Sequence, residues 1–363
     1  MSRILLLIPA LNAGGAERVM VTLANEWSKD NDVTLMVFND GSCFYSLSDR
    51  VHVKPMNLMP AGDGILRILS IPSIERKRYI TIKKEILTGG YDFTLSFCYT
   101  TNLMASLVAS KHKEKTIIVS ERNDPSEYSG KIRFLINKLY RKCSIVVCQN
   151  SMVRDYFQVR GFKNKLLVLP NPVNFADIPT ERPYNIEKSI VTVGRLIDQK
   201  NHALLIDAFA DISNEYPDYT LKIYGIGPLE LFLKDKIKRY NLEDKIFLMG
   251  TQKRVMFEVN KSSIFVLPSN FEGFPNVLIE AMATGMPVIS SDFKTGIARE
   301  LINDGVNGYL FPVGDKNNLI LCIRKMLQDS ENHEYMGAKN RLLAEQYKDE
   351  IIADRWLKVL YSR

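Results

Sequence analysis

The chain has 363 residues, of which 46% are hydrophobic and 25% are charged, and this length favours two domains of similar size. The composition is that of a soluble globular protein and excludes a disordered or fibrous chain. The apolar opening is short, and no run approaches the roughly 20 apolar residues that a membrane-spanning helix needs. The five cysteines have no metal-ligand spacing, so we expect reduced thiols and a cytoplasmic location, without a signal peptide.

Positive charge is concentrated in the first half of the chain. Residues 1–180 contain 24 Lys and Arg against 16 Asp and Glu, a net charge of +8, whereas residues 181–363 contain 24 against 25, a net charge of −1. This difference predicts an acidic partner for the first half only.

Strand-like and helix-like segments alternate along the whole chain. In the first half we predict strands at 3–9, 33–38, 51–54, 92–97, 115–120, 144–148 and 166–169, and helices at 16–29, 73–88, 101–111, 131–142 and 151–160. In the second half we predict strands at 189–193, 219–224, 245–248, 264–267, 287–290 and 308–311, and helices at 201–215, 229–239, 252–260, 275–285, 297–303 and from 317 onward. This alternation predicts an α/β protein with two doubly wound parallel sheets.

A proline-rich stretch, Leu169 to Pro183, interrupts both patterns and predicts the linker. We therefore expect a first domain at 1–172 and a second at 173–363, with a C-terminal helix near 348–363 that packs back on the first. The two domains are expected to face each other across a cleft, with a ligand at the carboxyl ends of the strands.

The most informative stretch is 269–285, which reads as a loop and a helix after a buried strand. Glu272 lies in the loop, and Glu280 falls in the second helical turn. The N–H groups of residues 273 to 277 are expected to form an anion site between the two carboxylates, and Gly273 allows close approach of a ligand. A nucleoside diphosphate sugar fits this combination of a negative centre and hydroxyl-bearing rings.

A second loop with the same chemistry follows the strand at 189–193. Gly194 avoids side-chain crowding where the strand ends. The planar guanidinium of Arg195 can form paired hydrogen bonds with phosphate oxygens, and the ammonium of Lys200 adds a compact positive charge. Surface cations beside a loop are the alternative. Gly225 lies in a further glycine-containing loop directly before a predicted helix, and this loop can line a nucleotide site.

Two polar clusters lie in the first half. The loop with Gly14 and Gly15 permits close backbone approach to an anion, although it is not the dinucleotide fingerprint GxGxxG. The cluster at 120–125 contains Glu121 and Arg122 and is either an acceptor contact or a capped turn. The four histidines have no ligand spacing, so no metal is assigned.

Two basic stretches stand out, at 76–84 and at 131–142, where five cations surround apolar residues at helical spacing. A solvated helix face is one interpretation, and contact with an anionic membrane surface is the other. No groove-reading motif appears, so nucleic acid is not expected as a partner.

The segment from Glu272 to Glu280 resembles the E-x7-E motif of retaining family-4 glycosyltransferases with the GT-B fold, which has two Rossmann-like domains. Further matches occur in the family's order along nearly the whole chain: Gly14 to Arg18, Val193 to Leu196, Lys200 with Asn201, and Asn303 to Gly308. The opening motif and the length are similar to enzymes that extend lipid-linked oligosaccharides for capsule, O-antigen or protein glycosylation.

The resemblance implies a role for each matching position. Arg195 and Lys200 would hold the donor diphosphate, with Gly15 closing on it, Glu280 would bind the ribose, and Glu272 would hold the sugar hydroxyls. The remaining donor-side positions would line the site: Gly194, Gly225, Gly273, Phe274, Asn276 and Val277. The chain departs from the family where many relatives carry a histidine, since Cys98 with Tyr99 and Glu121 with Arg122 occupy the candidate places.

We therefore expect a retaining glycosyltransferase that moves a hexose or N-acetylhexosamine from a UDP-linked donor to a glycan acceptor. No cofactor or metal is expected, because the sugar nucleotide is a substrate and no Asp-x-Asp motif precedes the cleft; the cations would stabilise the leaving diphosphate. The enzyme is expected in the cytoplasm, with a peripheral place on the inner face of the membrane.

Three alternative functions remain open. A nucleotide-sugar 2-epimerase is disfavoured because histidine is scarce, and a dinucleotide-dependent oxidoreductase is disfavoured because the GxGxxG fingerprint is missing. The third alternative is a non-catalytic sugar-nucleotide-binding protein.

Overall fold

The computed structural model describes residues 1–12, 14–60, 64–162 and 166–361. The chain forms two compact units, one made of Met1–Pro172 with Asp349–Arg363 and one made of Val173–Lys348, which we call unit 1 and unit 2. Each unit is built on one parallel sheet, seven-stranded in unit 1 and six-stranded in unit 2. This confirms the predicted fold class.

The sheet of unit 1 has the order β3-β2-β1-β4-β5-β6-β7, and every neighbouring pair is parallel. Its strands are β1 (Arg3–Leu7), β2 (Asp32–Val37), β3 (His52–Pro55), β4 (Phe93–Phe97), β5 (Ile117–Glu121), β6 (Ile145–Cys148) and β7 (Leu166–Val168). Its first helices are α1 (Gly15–Trp27), α2 (Gly64–Thr88), α3 (Tyr99–Ala109), α4 (Gly130–Leu139) and α5 (Ser151–Gln158). The strand order reverses direction between β1 and β4, so the topological switch point lies there.

Burial explains why these segments form central strands. Every residue of β4 and β5 is buried, polar ones included, and so are four of the five residues of β1. A strand that is covered on both faces reads as a continuous apolar run, not as an alternating one. The predicted strands at 3–9 and 115–120 contain such runs, whereas β4 alternates apolar and polar residues and is nevertheless buried throughout.

The sheet of unit 2 has the order β10-β9-β8-β11-β12-β13 and is also parallel throughout. Its strands are β8 (Glu187–Val193), β9 (Thr220–Tyr224), β10 (Ile246–Gly250), β11 (Ser262–Leu267), β12 (Val288–Ser291) and β13 (Gly308–Phe311). Its helices are α6 (His202–Ile212), α7 (Glu230–Arg239), α8 (Val255–Val259), α9 (Asn276–Ala283), α10 (Ile297–Leu301), α11 (Lys316–Gln328) and α12 (His333–Ala344). The switch point of this sheet lies between β8 and β11.

A few element bounds differ from the prediction. Helix α2 begins at Gly64, ahead of the predicted start at 73, because Pro72 removes only one hydrogen bond and the backbone stays helical on both sides of it. Helix α10 ends at Leu301, since Ile302 is extended and the amide of Asn303 donates to Oδ1 of Asn307 at 2.7 Å.

The chain crosses into unit 2 within the proline-rich stretch. The amide of Val173 donates to the carbonyl of Tyr347 at 2.8 Å, and Val173 and Ile178 are both buried. The stretch from Val173 onward is therefore packed against unit 2 and is not an extended tether.

The chain returns to unit 1 in its last helix, α13 (Asp349–Tyr361), which packs on α1. Two buried tryptophans join it to the rest of unit 1: Trp27 Nε1 donates to the carbonyl of Ala353 at 2.9 Å, and Trp356 Nε1 donates to that of Pro170 at 3.0 Å. The expected segment 348–363 extends two residues beyond the described part. No helix within the described residues combines the length and the apolar character needed to span a bilayer.

Candidate active site

The loop after β8 is packed backbone to backbone against the loop after β9. The amide of Gly194 donates to the carbonyl of Tyr224 at 2.9 Å, and that of Leu196 donates to Ile226 at 3.0 Å. Gly225 has φ +143°, and a Cβ added to it would lie 2.0 Å from the carbonyl oxygen of Gly194. Only glycine fits this position, so Gly225 sets how closely the two loops approach.

A second set of contacts joins the loop after β8 to the loop after β11. The side chain of Gln199 donates to the carbonyl of Phe271 at 2.9 Å, and the amide of Asn270 donates back to the carbonyl of Gln199 at 2.8 Å. Asn201 adopts the left-handed conformation, φ 47°, and its Nδ2 donates to Oδ1 of Asn270 at 3.0 Å. Because β8 and β11 flank the switch point, these bonds fix the geometry of the place where a ligand is expected.

A buried ion pair lies at the centre of these loops. Nζ of Lys200 lies 2.5 Å from Oε1 of Glu272, and the side chains are 15% and 7% exposed. Ser269, itself fully buried, donates its hydroxyl to the same oxygen at 2.6 Å. Thr295 donates to the backbone carbonyl of Glu272 at 3.1 Å, so both the carboxylate and the backbone of this residue are held.

This pairing adds to what the sequence predicted. Lys200 was assigned to the diphosphate and Glu272 to the sugar, and the structure brings the two side chains into direct contact. In a sugar nucleotide, one bond joins the sugar to the diphosphate. A lysine in contact with the carboxylate that is expected to hold the sugar would lie near that bond, and this role stays a prediction.

Arg195 differs from Lys200 in its surroundings. It is exposed, and its guanidinium makes no hydrogen bond or ion pair with any described residue. Its backbone position is nevertheless fixed, because its neighbours Gly194 and Leu196 are bonded to the β9 loop. A guanidinium on a fixed backbone can form bidentate hydrogen bonds with phosphate oxygens.

The loop and helix that follow Glu272 carry the remaining donor-side residues. Glu280 lies in the second turn of α9 and is 6% exposed, and Val277 lies in the first turn. The side chain of Phe274 is buried and packs near Tyr347, with ring centroids 6.0 Å apart. Gly273 precedes it in the loop.

One of the amides expected to bind an anion is used within the protein. The amide of Asn276 donates to the carbonyl of Phe274 at 3.0 Å across Pro275, whose φ −84° and ψ 70° are those of an inverse γ-turn. Proline itself has no N–H. The anion site predicted for residues 273 to 277 therefore lacks the amides of Pro275 and Asn276 in this structure.

His202 was not singled out by sequence reasoning, yet it supports the site. It is 3% exposed, and its Nε2 lies 3.3 Å from the carbonyl oxygens of both Gly194 and Arg195. Two acceptors at this nitrogen require that Nε2 carry the proton. Burial lowers the pKa of His202 to about 4 against the opposing effect of the two carbonyls, with Lys200 lowering it further. Its signal in the sequence was its position directly after the Lys200 loop.

Unit 1 holds the predicted acceptor-side residues in a buried network. Glu121 is fully buried and accepts hydrogen bonds from Tyr128 at 2.9 Å, from Tyr140 at 3.0 Å and from the amides of Arg122 and Asn123. Burial raises the pKa of this carboxyl, and the bonds it accepts oppose the shift. Its role as an acceptor contact stays a prediction, and within unit 1 it orients two tyrosines.

Arg122 is also buried and donates to Oδ1 of Asn171, while its guanidinium lies 5.0 Å from the ring centroid of Phe97. Burial lowers the pKa of Arg122 to about 10. Asp124 caps the short helix that follows, accepting from the amide of Ser126 at 2.8 Å. The cluster at 120–125 thus contains the predicted capped turn.

Gly15, the first residue of α1, lies in open surroundings, since a Cβ added to it would meet no atom within 4 Å. Gly14 is more confined, because Glu17 folds back over it and Tyr45 donates to its carbonyl at 3.1 Å. Within the described residues, no three His, Cys, Asp or Glu side chains are grouped so that they could hold a metal ion.

Comparison with known proteins gives the family of this arrangement. The family description "Glycosyltransferase Family 4" matches residues 13–177, and "Glycosyl transferases group 1" matches residues 176–343. Together the two matches cover nearly the whole chain.

Two relatives from Campylobacter jejuni are similar over their full length. One, named N-acetylgalactosamine-N,N'-diacetylbacillosaminyl-diphospho-undecaprenol 4-alpha-N-acetylgalactosaminyltransferase, is 31% identical over 99% of this chain and 100% of its own. The other is an alpha-1,4-N-acetyl-D-galactosaminyltransferase whose name gives its acceptor as a diNAcBac-PP-undecaprenol glycan; it is 29% identical over 99% of this chain and 98% of its own.

Solved structures show the same fold. The Anabaena protein HepE in complex with UDP and glucose superposes with a TM-score of 0.80 at 21% identity, covering 100% of both chains. The lipopolysaccharide outer core galactosyltransferase WaaB superposes with a TM-score of 0.76 at 19% identity, covering 100% of this chain and 99% of its own.

The neutral, buried His202 predicts a pH-dependent contribution to stability. The unfolded state binds a proton below a pKa of about 6.5, whereas the folded state does so only below about 4. The contribution of neutral His202 to the free energy of unfolding is therefore fully present above pH 6.5 and is lost as the pH falls towards 4. We expect His202→Gln to be less stable than the parent at pH 7. The difference in their free energies of unfolding should narrow by about 2 kcal/mol at pH 5. Denaturant unfolding of both proteins measures this, and a gap that is constant with pH would contradict it.

Proposed function

The chain belongs to the family-4 glycosyltransferases with the GT-B fold, and from this premise we propose that it is a retaining, metal-independent enzyme. It transfers a hexose or N-acetylhexosamine from a UDP-linked donor to a lipid-linked glycan. The donor binds in unit 2, and the acceptor is bound by unit 1. The observation that carries the proposal is the Lys200–Glu272 pair, placed with Arg195 at the switch point of unit 2.

The chemistry depends on stabilising the departing diphosphate. When the bond between the anomeric carbon and the phosphate oxygen breaks, negative charge grows on that oxygen. Lys200 is held beside it by the contacts of its loop, and exposed Arg195 can grip the outer phosphate oxygens. These cations supply charge stabilisation without a metal ion.

Retention is part of the proposal, and the contacts of Glu272 support front-face attack over a covalent sugar–enzyme intermediate. The carboxylate of Glu272 is engaged by Lys200 and by Ser269, which suits a residue that accepts hydrogen bonds from sugar hydroxyls better than one that attacks carbon. We therefore assign front-face attack. The acceptor hydroxyl forms the new bond on the side from which UDP leaves, and the departing phosphate oxygen takes its proton.

The acceptor class rests on the relatives. Both Campylobacter enzymes are named for glycans linked through diphosphate to undecaprenol, and they match this chain from end to end. An acceptor of this kind stays in the membrane. The enzyme must then work at a membrane surface, and the cytoplasmic leaflet of a membrane is anionic.

Helix α4 of unit 1 has the features of a membrane-contact face. Ile136 is its one fully buried residue, whereas Phe134 is 63% exposed and Leu135 is 42% exposed. Apolar residues at helical spacing more often belong to a core, whereas the structure leaves Phe134 and Leu135 exposed to solvent. Three exposed lysines accompany them on or directly after the helix: Lys131, Lys138 and Lys142. A face that combines exposed apolar side chains with cations can bind an anionic lipid surface, because the apolar groups insert and the cations attract the lipid head groups.

Loss of either donor cation should reduce turnover. We expect Arg195→Ala and Lys200→Ala each to lower kcat by roughly 10²-fold, the scale for losing one charge-stabilising group. The measurement is UDP release from a panel of UDP-hexoses and UDP-N-acetylhexosamines at saturating concentration. Lys188→Ala, at a lysine that is exposed on the same unit, serves as the control and should keep parental activity. Full activity in both site variants would remove the phosphate role.

The two glutamates should affect different kinetic constants. Glu280 is assigned to the ribose, which changes little during reaction, so Glu280→Gln should mainly raise the donor KM, by about tenfold. Glu272 is assigned to the sugar, which gains positive charge, so Glu272→Gln should mainly lower kcat, by about tenfold or more. Steady-state kinetics distinguish the two, with exposed Glu300→Gln as the control. The opposite pattern would mean that the two carboxylates exchange roles.

Binding to vesicles tests the membrane surface. Each cation near an anionic surface contributes about 1 kcal/mol, so replacing Lys131, Lys138 and Lys142 with Gln should weaken sedimentation with anionic vesicles strongly. The double variant Phe134→Ser, Leu135→Ser should weaken the sedimentation that persists at high salt, because salt screens the charge attraction but leaves apolar insertion in place. Replacing Lys188, Lys234 and Lys261 of unit 2 removes the same charge and should have little effect. Equal binding to neutral vesicles, or none to either, contradicts the proposal.

A further inference from the structure

Apart from Gly15, which is expected to close on the donor diphosphate, the residues at the switch point of unit 1 have no expected role in donor binding. This switch point lies between β1 and β4 in the strand order. The loop after β1 carries Gly14 and Gly15, and Cys98 and Tyr99 follow β4 directly. Loops at the carboxyl ends of the strands that flank a switch point form the crevice in which such sheets bind ligands. Unit 2 has its cation-carboxylate cluster at the corresponding place.

What lies at this place in unit 1 is a pair of aromatic rings. Tyr99 begins α3, and Tyr128 lies in the loop after β5, the strand next to β4. Their ring centroids are 5.2 Å apart with an interplanar angle of 53°, and both side chains are half-buried. The rings therefore rest on the core of unit 1 and keep part of their surface in solvent.

The Tyr128 ring is anchored from its hydroxyl end. The hydroxyl donates to the buried carboxylate of Glu121 at 2.9 Å and accepts from Nδ2 of Asn123 at 3.0 Å. Glu121 is in turn fixed by Tyr140 and by two backbone amides. With its hydroxyl engaged by Glu121 and Asn123, Tyr128 offers a ligand its ring.

The backbone beside Tyr99 is strained. Cys98 has φ 70° and ψ 141°, a region that residues with a side chain rarely adopt. Strain of this kind persists where the surrounding structure imposes it, and it is concentrated at ligand sites. Here it turns the chain from β4 into α3, which places Tyr99 next to Tyr128. Burial raises the pKa of the Cys98 thiol to about 12, so the thiol is neutral and packs as an uncharged side chain.

We propose that Tyr99 and Tyr128 form a platform on which a pyranose ring of the glycan acceptor packs. A pyranose has one face rich in C–H groups and a rim of hydroxyls, and an aromatic ring with a buried polar end offers a matching apolar face. Asn123, which is exposed and bonded to the Tyr128 hydroxyl, would then lie near the hydroxyl rim of the sugar. The inference rests on the proposed function for its ligand class. It adds a binding site that is separate from the donor residues of unit 2.

Direct binding tests the platform without requiring turnover. The probes are p-nitrophenyl α-glycosides of N-acetylgalactosamine, N-acetylglucosamine, galactose and glucose, titrated into the full-length protein and followed by saturation-transfer NMR of the sugar protons. Tyr99→Ala should weaken binding of the best probe by at least about fivefold, the scale of a lost aromatic contact. Tyr99→Phe keeps the ring and should bind within about twofold of the parent.

Further variants separate a platform from a general loss of structure. Tyr128→Phe keeps the ring but loses the bond to Glu121, so it should weaken binding less than Tyr128→Ala. Tyr184→Ala, at a fully exposed tyrosine of unit 2, is the control for tyrosine loss and should bind as the parent does. UDP binding, measured on every variant by calorimetry, reports whether unit 2 is intact.

The outcomes are distinct. Weaker glycoside binding in Tyr99→Ala with unchanged UDP binding supports the platform, and does so even if none of the UDP-sugars is turned over. Unchanged glycoside binding in Tyr99→Ala overturns it, as does failure of the parent to bind any probe at millimolar concentration. A loss of UDP binding, without a loss of glycoside binding, would show that the rings serve the nucleotide and also overturns it.

Discussion

The donor unit depends on one interaction, the ion pair between Lys200 and Glu272. The two residues are 72 positions apart and meet because β8 and β11 are neighbours in the sheet. Removing one partner of a buried pair leaves an uncompensated charge and costs about 3–5 kcal/mol. The surrounding bonds from Ser269, Gln199 and Asn201 hold both loops in the one arrangement in which the charges meet. The pair therefore links correct strand pairing to a correctly formed site.

The fold and the loops of the site could be predicted from the sequence, because each rests on local pattern. Apolar runs of strand length mark buried strands, and Glu272 with Glu280 at their spacing marks a loop and helix after one of them. The partners of these residues could not be predicted. That Lys200 contacts Glu272 depends on which strands are adjacent, and that His202 supports the backbone of Arg195 depends on how the loop after β8 folds back on itself. The burial of Glu121 and the exposure of Phe134 likewise depend on how helices cover the sheet of unit 1.

The two units use the same architecture for different surfaces. In unit 2, the switch point carries a buried cation, two carboxylates and backbone loops kept close by Gly225. In unit 1, the carboxylate near the switch point is turned inward, where it accepts four hydrogen bonds, and the half-exposed residues are aromatic. A charged, polar ligand suits the first arrangement, and the apolar face of a ring suits the second. An enzyme that transfers a sugar from a nucleotide to a glycan needs both.

Positive charge also acts in two ways in this chain. Unit 2 spans most of a half with a net charge of −1, so its affinity for an anionic donor cannot come from its overall field. Under the proposed function it would come from Lys200, whose ammonium is largely buried and therefore weakly screened by salt, together with Arg195. The cations of α4 are exposed and act beyond contact only within a Debye length, roughly 8 Å at physiological salt. Attraction of this kind is additive and salt-dependent, and it suits reversible contact with a surface. Under the proposed function, this division would let the enzyme leave the membrane without weakening its hold on the donor.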